Sequence, residues 1–255
     1  MCLILFAWQA HDRFPLIVAA NRDEFYARPT QRAHWWEDHP AILAGKDLLA
    51  GGTWLGVSDT GRFSAVTNFR EPHNIKADAP SRGALVSDFL GSSVSSPAYM
   101  DQLSARGAGY NGFNLLTFDG KSMGWYSNRA EKPLPLTGGI YGLSNHLLNT
   151  SWPKVEKGMN MLKQTIDQKD FPDREELFHF LADEALAPDE NLPQTGVSKE
   201  WEKRLSAICI KSPEYGTRVS TVVMIDREGH VFFEERAHVP EGSPARFVFS
   251  ARGGV

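Results

Sequence analysis

The sequence predicts an α+β protein in which antiparallel sheets are covered by helices. Short apolar runs joined by turn residues dominate both ends of the chain, and the amphipathic helical segments are grouped between them. Strands joined by hairpins, with the helices segregated, favour antiparallel sheets over a parallel βαβ sheet. No glycine-rich loop follows a strand and opens a helix, so nucleotide binding has little support. No repeat or linker divides the chain, and we predict a single domain over residues 1–255.

The composition is that of an ordinary soluble, folded protein. Of the 255 residues, 42% are hydrophobic, which is enough for a sizeable core. A formal net charge of −4 without a long basic run argues against a nucleic-acid partner. No apolar stretch approaches the ~20 residues of a membrane-spanning helix, and the first apolar run lacks the basic leader of a signal peptide. We therefore expect a cytoplasmic protein, unless it reaches an organelle by another route, with free thiols at Cys2 and Cys209.

The first two dozen residues predict a β-hairpin on which the candidate site depends. Apolar runs at 3–8 and 16–20 are separated by a polar link, as in two paired strands. The hairpin would return the polar residues at 21–24 to the start of the chain. The thiol of Cys2 could then share one site with them.

The next part of the chain is expected to contain one further hairpin. Residues 25–29 predict a turn or a helical stub, and a loop-rich region with apolar anchors follows it. A strand at 51–57, entered through a tight glycine turn, and a strand at 63–69 flank the hairpin turn at 59–61.

Helices are expected in the middle of the chain and strands at its end. Asp119 and Gly120 are a strong turn signal, and Ser151 and Pro153 suit the cap and the first position of a helix. The expected elements are, in order, helices at 83–90 and 98–105, strands at 113–118, 122–126 and 139–145, a helix from Pro153 with apolar residues to Ile166, a helix at 175–186 with Ala185 facing inward, and strands at 207–210, 220–225, 231–235 and 246–250. Cys209 falls in an apolar strand and is expected to be a buried thiol.

Cys2 is the residue best suited to covalent chemistry. Removal of Met1, which is usual before a small residue, would give Cys2 both a thiol and a free α-amine. Their reference pKa values, about 8.5 and about 7.7–8.0, lie near the working range. An amine within reach can take the thiol proton and activate the nucleophile without a histidine. The alternative is a small buried residue at the start of a strand.

Polar residues at the ends of strands supply the other candidates. Asp23 could hold the α-amine, and Arg22 could pair with Asp23 or bind a carboxylate or phosphate. Asn68 and Asn145 each end an apolar strand and could donate to a developing oxyanion. Arg218 could clamp a carboxylate or orient the thiolate. Alternatively, Arg22 and Asp23 would belong to a polar turn that closes the hairpin, and Asn68 and Asn145 would be ordinary turn-forming residues. Arg218 would then be a surface arginine.

Histidines and tryptophans give weaker signals. The eight histidines show no metal-ligand spacing, so no metal site is predicted, and His146 is of interest only because it adjoins Asn145. Aromatic residues could form core or the apolar wall of a pocket, and the candidates are Trp35, Trp36, Trp54 and Phe69.

Six segments resemble the NRDE family, the relatives of transport and Golgi organisation protein 2. They are residues 20–26, 51–56, 67–68, 110–115, 141–145 and 215–218, with the sequences ANRDEFY, GGTWLG, TN, YNGFNL, YGLSN and YGTR. The match is highly specific, because it spans almost the whole chain in the right order. The resemblance implies a branch of the N-terminal-nucleophile hydrolase superfamily, with a four-layer αββα fold and two stacked, mainly antiparallel sheets.

A weaker similarity to the penicillin V acylase and bile salt hydrolase group implies roles for single residues. Cys2 matches the nucleophile, and Asn21 and Asp23 match an Arg-Asn-x-Asp motif in which Asp23 would hold the α-amine. The remaining matches are Asn145 with the oxyanion-hole Asn, Arg218 with a late active-site Arg, and Asn68 with the other oxyanion-side residue. The chain departs from the motif at Ala20, which stands at the Arg position, and at Arg22, which replaces an apolar residue.

The family resemblance implies haem trafficking or the handling of lipids and acyl-CoA, so we expect a protein that binds such a small-molecule ligand at Cys2. Ala20 in place of arginine favours this carrier over the alternative, a cysteine amidohydrolase or thioesterase that cleaves an acyl substrate. The expected residues are Cys2, Asp23, Asn145, Arg218 and Asn68 for catalysis and Asn21, Arg22, Trp54 and His146 for ligand binding. The chemistry requires no cofactor, and haem is a candidate ligand only through the resemblance, since no haem-attachment motif is present. The sequence indicates no oligomeric state.

Overall fold

The computed structural model describes residues 2–167 and 171–252, in which two antiparallel sheets lie face to face. The strands are β1 (Cys2–Trp8), β2 (Leu16–Phe25), β3 (Thr30–Trp35), β4 (Ile42–Asp47), β5 (Leu55–Ser58), β6 (Phe63–Asn68), β7 (Phe113–Phe118), β8 (Met123–Ser127), β9 (Leu134–Pro135), β10 (Gly139–Leu143), β11 (Tyr215–Ile225), β12 (His230–Ala237) and β13 (Ala245–Ser250). The helices are α1 (Gly83–Leu90), α2 (Ser96–Arg106), α3 (Pro153–Asp167), α4 (Arg174–Leu181) and α5 (Lys199–Arg204). Sheet 1 has the strand order β10-β1-β2-β11-β12-β13, and sheet 2 has the order β3-β4-β5-β6-β7-β8-β9.

Alternation along the strands sorts the apolar side chains into separate layers. In β1, Ile4 and Phe6 belong to the core between the sheets, whereas Leu3 and Leu5 belong to the core under α3 and α4. A third core joins the outer face of sheet 2 to α1 and α2. The layers therefore follow the order αββα, and the predicted fold is confirmed.

The N-terminal hairpin lies in the middle of sheet 1, as its apolar sequence predicts. Its register pairs Cys2 with Arg22, so the end of β2 does return to the start of the chain. On its other side β2 pairs with β11, where Thr217 lies opposite Asp23. A bulge at Arg218 interrupts this second ladder, because the register shifts between Thr217 and Val219.

The region expected to be rich in loops instead contains the hairpin of β3 and β4. β3 is an edge strand with three polar residues among its first three positions, so it carries no apolar alternation from which to predict a strand. The next strand is shorter than expected. β5 begins at Leu55, because the preceding residues 51–54 turn the chain after Gly51, whose φ is +76°.

Two further predictions about secondary structure are wrong. No strand forms at 207–210; this buried segment is irregular, and its amides at Cys209 and Ile210 donate to the Asp183 carbonyl and the Thr217 hydroxyl. The helix expected to reach residue 186 ends at Leu181, and Ala185 is exposed. The Asp183 side chain accepts from the Ala185 amide, a local bond that competes with helix continuation.

None of the helices in the described part of the chain, residues 2–167 and 171–252, is long and apolar enough to span a membrane.

Candidate functional site

A cavity of about 490 Å³ opens where the strands of both sheets end near Cys2. Sheet 1 contributes the start of β1, the end of β2 and parts of β11 and β12 to its wall, and sheet 2 contributes β3, β4 and β6. The segment 79–83, which leads into α1, completes the wall. The cavity therefore depends on the stacking of the two sheets rather than on any one motif.

Charged side chains dominate the cavity wall. Six are cationic and four are anionic. The cations are Arg22, Arg28, Arg32, Lys46, Arg82 and Arg218, and the anions are Asp23, Glu24, Asp47 and Glu235. The excess of positive charge suits an anionic ligand. Apolar surface comes from Trp54, Val66, Val219 and Val239.

Cys2 lines this cavity but is only 8% exposed. The pKa of its thiol is raised, mainly because burial disfavours the thiolate and also because the charge of Asp23 opposes it. Burial therefore disfavours the thiolate, which is the nucleophilic form of a cysteine. Met1, whose removal would free the α-amine of Cys2, lies outside the described residues.

Asp23 also lines the cavity, and it is the most buried carboxylate there, with 1% exposure. Its Oδ1 accepts a hydrogen bond from Thr217 Oγ1 at 2.7 Å. Burial raises the pKa of Asp23, and the positive charge of Lys154 is the first influence that lowers it. Lys154 on α3 is therefore the nearby cation that most favours the ionised form of Asp23.

The two asparagines proposed for an oxyanion hole are bonded to one another. Asn145 Nδ2 donates to the Asn68 carbonyl at 3.0 Å, and Asn145 is fully buried outside the cavity wall. Next to it, Ser144 Oγ donates to the Cys2 carbonyl at 3.1 Å, which ties this turn to the start of β1. Of the pair, Asn68 lines the cavity. This bond uses one hydrogen of the Asn145 amide, and the same amide group carries a second donor.

Arg218 reaches the cavity wall from the bulge in β11. One terminal nitrogen of its guanidinium donates to the backbone carbonyls of Phe25, at 3.3 Å, and of Arg28. Burial lowers the pKa of Arg218, and the neighbouring charge of Arg22 adds to the effect. Arg218 and Arg22 thus form a local concentration of positive charge.

Two of the four residues expected to bind ligand do not reach the cavity. Asn21 faces the helices, is fully buried, and donates through Nδ2 to the carbonyls of Leu181 and Ile208, each at 2.8 Å. His146 stacks against Phe69 at 4.8 Å between ring centres, and its Nδ1 lies 2.9 Å from Thr150 Oγ1. Both side chains support the fold, whereas Arg22 and Trp54 do line the cavity.

Most of the expected aromatic wall is likewise placed elsewhere. Trp36 is buried under α1 and α2, with its indole donating to the Ala44 carbonyl, and Trp35 packs on Phe249. Phe69 is engaged with His146. Trp54 is the member of the predicted set that lines the cavity, so the wall is more polar than expected.

Sequence reasoning missed several charged residues at the site. Arg82 and Glu235 line the cavity, and Glu235 is a buried carboxyl whose pKa is raised by burial. Lys154 is buried behind Asp23, and burial lowers its pKa to about 8. One signal could have identified Lys154, because its spacing from Gly158 and Leu162 places it on the buried face of α3.

Comparison with other sequences identifies relatives along nearly the whole chain. A sequence model of the family described as "Transport and Golgi organisation 2" matches residues 1–240. The transport and Golgi organization 2 homolog of Mus musculus is 37% identical over 257 residues, which cover 93% of each chain. The transport and Golgi organization protein 2 of Drosophila melanogaster is 28% identical over 265 residues, covering 92% of this chain and 91% of its own.

Two solved structures match most of the chain, at low sequence identity and with TM-scores below 0.5. An N-acylethanolamine-hydrolyzing acid amidase ortholog from Caenorhabditis elegans has a TM-score of 0.47 and 12% identity, over 87% of this chain and 92% of its own. A mutant of the conjugated bile acid hydrolase from Clostridium perfringens has a TM-score of 0.43 and 9% identity, over 98% of each chain.

Proposed function

Because this chain belongs to the transport and Golgi organisation 2 family, we propose that it binds a small anionic ligand, haem or an acyl-CoA-like lipid, in the cavity at Cys2. The observation that carries this proposal is the cavity wall, in which six cationic side chains outnumber four carboxylates. Haem carries carboxylates on an apolar ring system, and acyl-CoA carries phosphates on an apolar chain. Either ligand needs cations at one end and apolar surface at the other.

The size and the lining of the cavity support the same function. Its volume of about 490 Å³ falls in the range of roughly 300–1,000 Å³ that is usual for small-molecule sites. Trp54 and Val239 offer apolar contact beside the charged groups. The raised pKa of Cys2 adds a further argument, because burial disfavours the thiolate that a nucleophile would need.

Ligand titration with an arginine variant tests the proposal. Haem binding is followed by absorbance and palmitoyl-CoA binding by calorimetry, for wild type, Arg22→Ala and the control Arg252→Ala. Arg22 lies in the cavity wall, whereas the Arg252 side chain is 82% exposed and pairs with Asp59. We expect Arg22→Ala to weaken binding without unfolding the protein, and Arg252→Ala to bind as wild type does. If wild type binds neither ligand, or if Arg22→Ala binds both equally well, the proposal is wrong.

A second candidate function is hydrolysis of an amide or thioester at Cys2. It is favoured by the arrangement of Cys2 and Asp23 in one cavity wall, where Asp23 could hold a free α-amine. Intact-mass measurement on the native protein shows whether Met1 is removed, which this mechanism requires. Turnover of an acyl substrate that disappears in Cys2→Ala would establish hydrolysis, whereas turnover that persists would exclude Cys2 as the nucleophile.

A further inference from the structure

The cations of the cavity differ in how far their charge is already neutralised. Arg28 Nε lies 2.6 Å from Asp47 Oδ2, and Arg22 lies 3.6 Å from the same carboxylate oxygen. Lys46 Nζ lies 2.5 Å from Asp38 Oδ2. These three side chains therefore have a carboxylate partner before any ligand arrives.

Arg82 has no such partner among residues 2–167 and 171–252. One nitrogen of its guanidinium donates to the Gly112 carbonyl at 3.0 Å, and no other hydrogen bond joins it to the described residues. Arg218 also lacks a carboxylate partner among these residues, but one of its terminal nitrogens already donates to two backbone carbonyls. Arg82 thus combines a charge that has no carboxylate partner with several unused donors, and these point to an occupant that supplies acceptors.

Arg82 shares the cavity wall with Cys2. Burial is the main influence lowering the pKa of Arg82, and the first group that opposes this effect is Cys2 in its thiolate form, followed by Glu24. An anion bound to the free edge of this guanidinium would therefore lie in the cavity that Cys2 lines.

The backbone that carries Arg82 is held firmly against the opposite part of the wall. The Thr53 amide donates to the Gly83 carbonyl at 3.3 Å. A Cβ on Gly52 would lie 2.4 Å from the Gly83 carbonyl carbon, so the two chains touch without room for a side chain. Gly52 and Thr53 also line the cavity, so this contact fixes the backbone next to Arg82 against the cavity wall.

We propose that Arg82 anchors the anionic end of the ligand in the cavity that Cys2 lines, through a two-point contact with a carboxylate or a phosphate. The inference rests on the proposed function and adds the orientation of the ligand, with its charged end at Arg82 and its apolar body toward the remaining wall. A guanidinium suits this role because its planar fork matches both kinds of anion.

Dissociation constants for haem and palmitoyl-CoA test the anchor in wild type, Arg82→Gln, Arg82→Lys and the control Arg252→Gln. We expect Arg82→Gln to weaken binding on the order of 10- to 100-fold, the usual effect of losing a hydrogen-bonded charge partner. Arg82→Lys should recover part of the loss, since it restores the charge without the fork. Arg252→Gln should change neither constant.

The outcomes separate the anchor from the proposed function. If wild type binds a ligand and Arg82→Gln binds it equally well, the anchor is wrong and the ligand-binding function stands. If wild type binds neither ligand, both the Arg82 anchor and the proposed ligand-binding function are wrong. Should Arg82→Gln not fold, alkylation of Cys2 by iodoacetamide in Cys209→Ser provides a second test. A bound ligand should slow this alkylation, and an unchanged rate under saturating ligand would overturn the anchor.

Discussion

Replacing Arg70 by methionine should destabilise the protein strongly, because Arg70 forms a buried ion pair. Arg70 NH1 lies 2.8 Å from Glu202 Oε2, and the two side chains are only 5% and 4% exposed. Removing one partner of such a pair typically costs about 3–5 kcal/mol, since the other charge stays buried without it. Glu202 keeps two hydrogen bonds from Thr195, at 2.8 and 2.6 Å, so we expect a loss near the lower limit, about 3 kcal/mol.

Urea unfolding at pH 7 measures the change in the free energy of unfolding. Methionine preserves most of the apolar stem of Arg70 but removes the guanidinium, whose Cζ lies 4.6 Å from the centre of the Trp152 ring. The charge and its contact with this ring are therefore the main losses. The matched control is Arg204→Met, whose pair with Glu200 is exposed and should contribute less than about 1 kcal/mol. The double variant Arg70→Met with Glu202→Gln should recover much of the stability. A loss in Arg70→Met no larger than that in Arg204→Met, or no recovery in the double variant, would refute this reasoning.

Two further predictions concern packing and pH. Gly158→Ala should destabilise the protein by up to about 2 kcal/mol net in urea unfolding, because overpacking a core costs about 1–3 kcal/mol and the gain in helix propensity offsets about 1 kcal/mol of it. The new Cβ would lie 2.5 Å from Cδ1 of the buried Leu5, whereas the Cβ of the control Gly109→Ala would meet nothing within 4 Å. Equal stabilities of the two variants would contradict the close approach of α3 to β1. His146→Gln should reduce the loss of thermal stability on acidification. Burial, with the charge of Arg70, lowers the pKa of His146 in the folded protein below its ordinary value of 6.5. The unfolded chain therefore takes up the proton first. Stability falls as the pH drops from 6.5 to the pKa of His146 in the folded protein. Melting temperatures between pH 7.5 and 5 check this, and parallel curves for the two proteins would exclude His146 as a contributor.

The parts of the fold that the sequence predicts are those encoded by local periodicity. The N-terminal hairpin is correct because both of its strands are continuous apolar runs, as expected for strands buried on two faces. The hairpin of β3 and β4 is missed because an edge strand with polar residues lacks such a run. Residues 207–210 show the opposite error, since they are apolar and buried but bond to Asp183 and Thr217 instead of joining a ladder.

The site is predicted only where it is close to the hairpin. Cys2, Arg22 and Asp23 come together because the hairpin register requires it. Asn21 precedes Arg22 by one position and therefore faces the helices, which the alternation of strand β2 could have shown. Arg82 could not be foreseen, because it approaches Cys2 only through the stacking of two sheets and the contact of Gly83 with the 52–53 segment.

The bulge in β11 sets one residue of the strand outside the regular ladder. Residue 218 has no partner in β2, and both Arg218 and Val219 line the cavity. The carbonyl of Arg218 also accepts from the His238 amide at 2.8 Å, which fixes the chain leading to Val239 in the same wall. Residue 218 is thus an insertion in the ladder. A chain that lacked residue 218 would keep a regular ladder between β2 and β11 and would lose the Arg218 charge from the cavity wall.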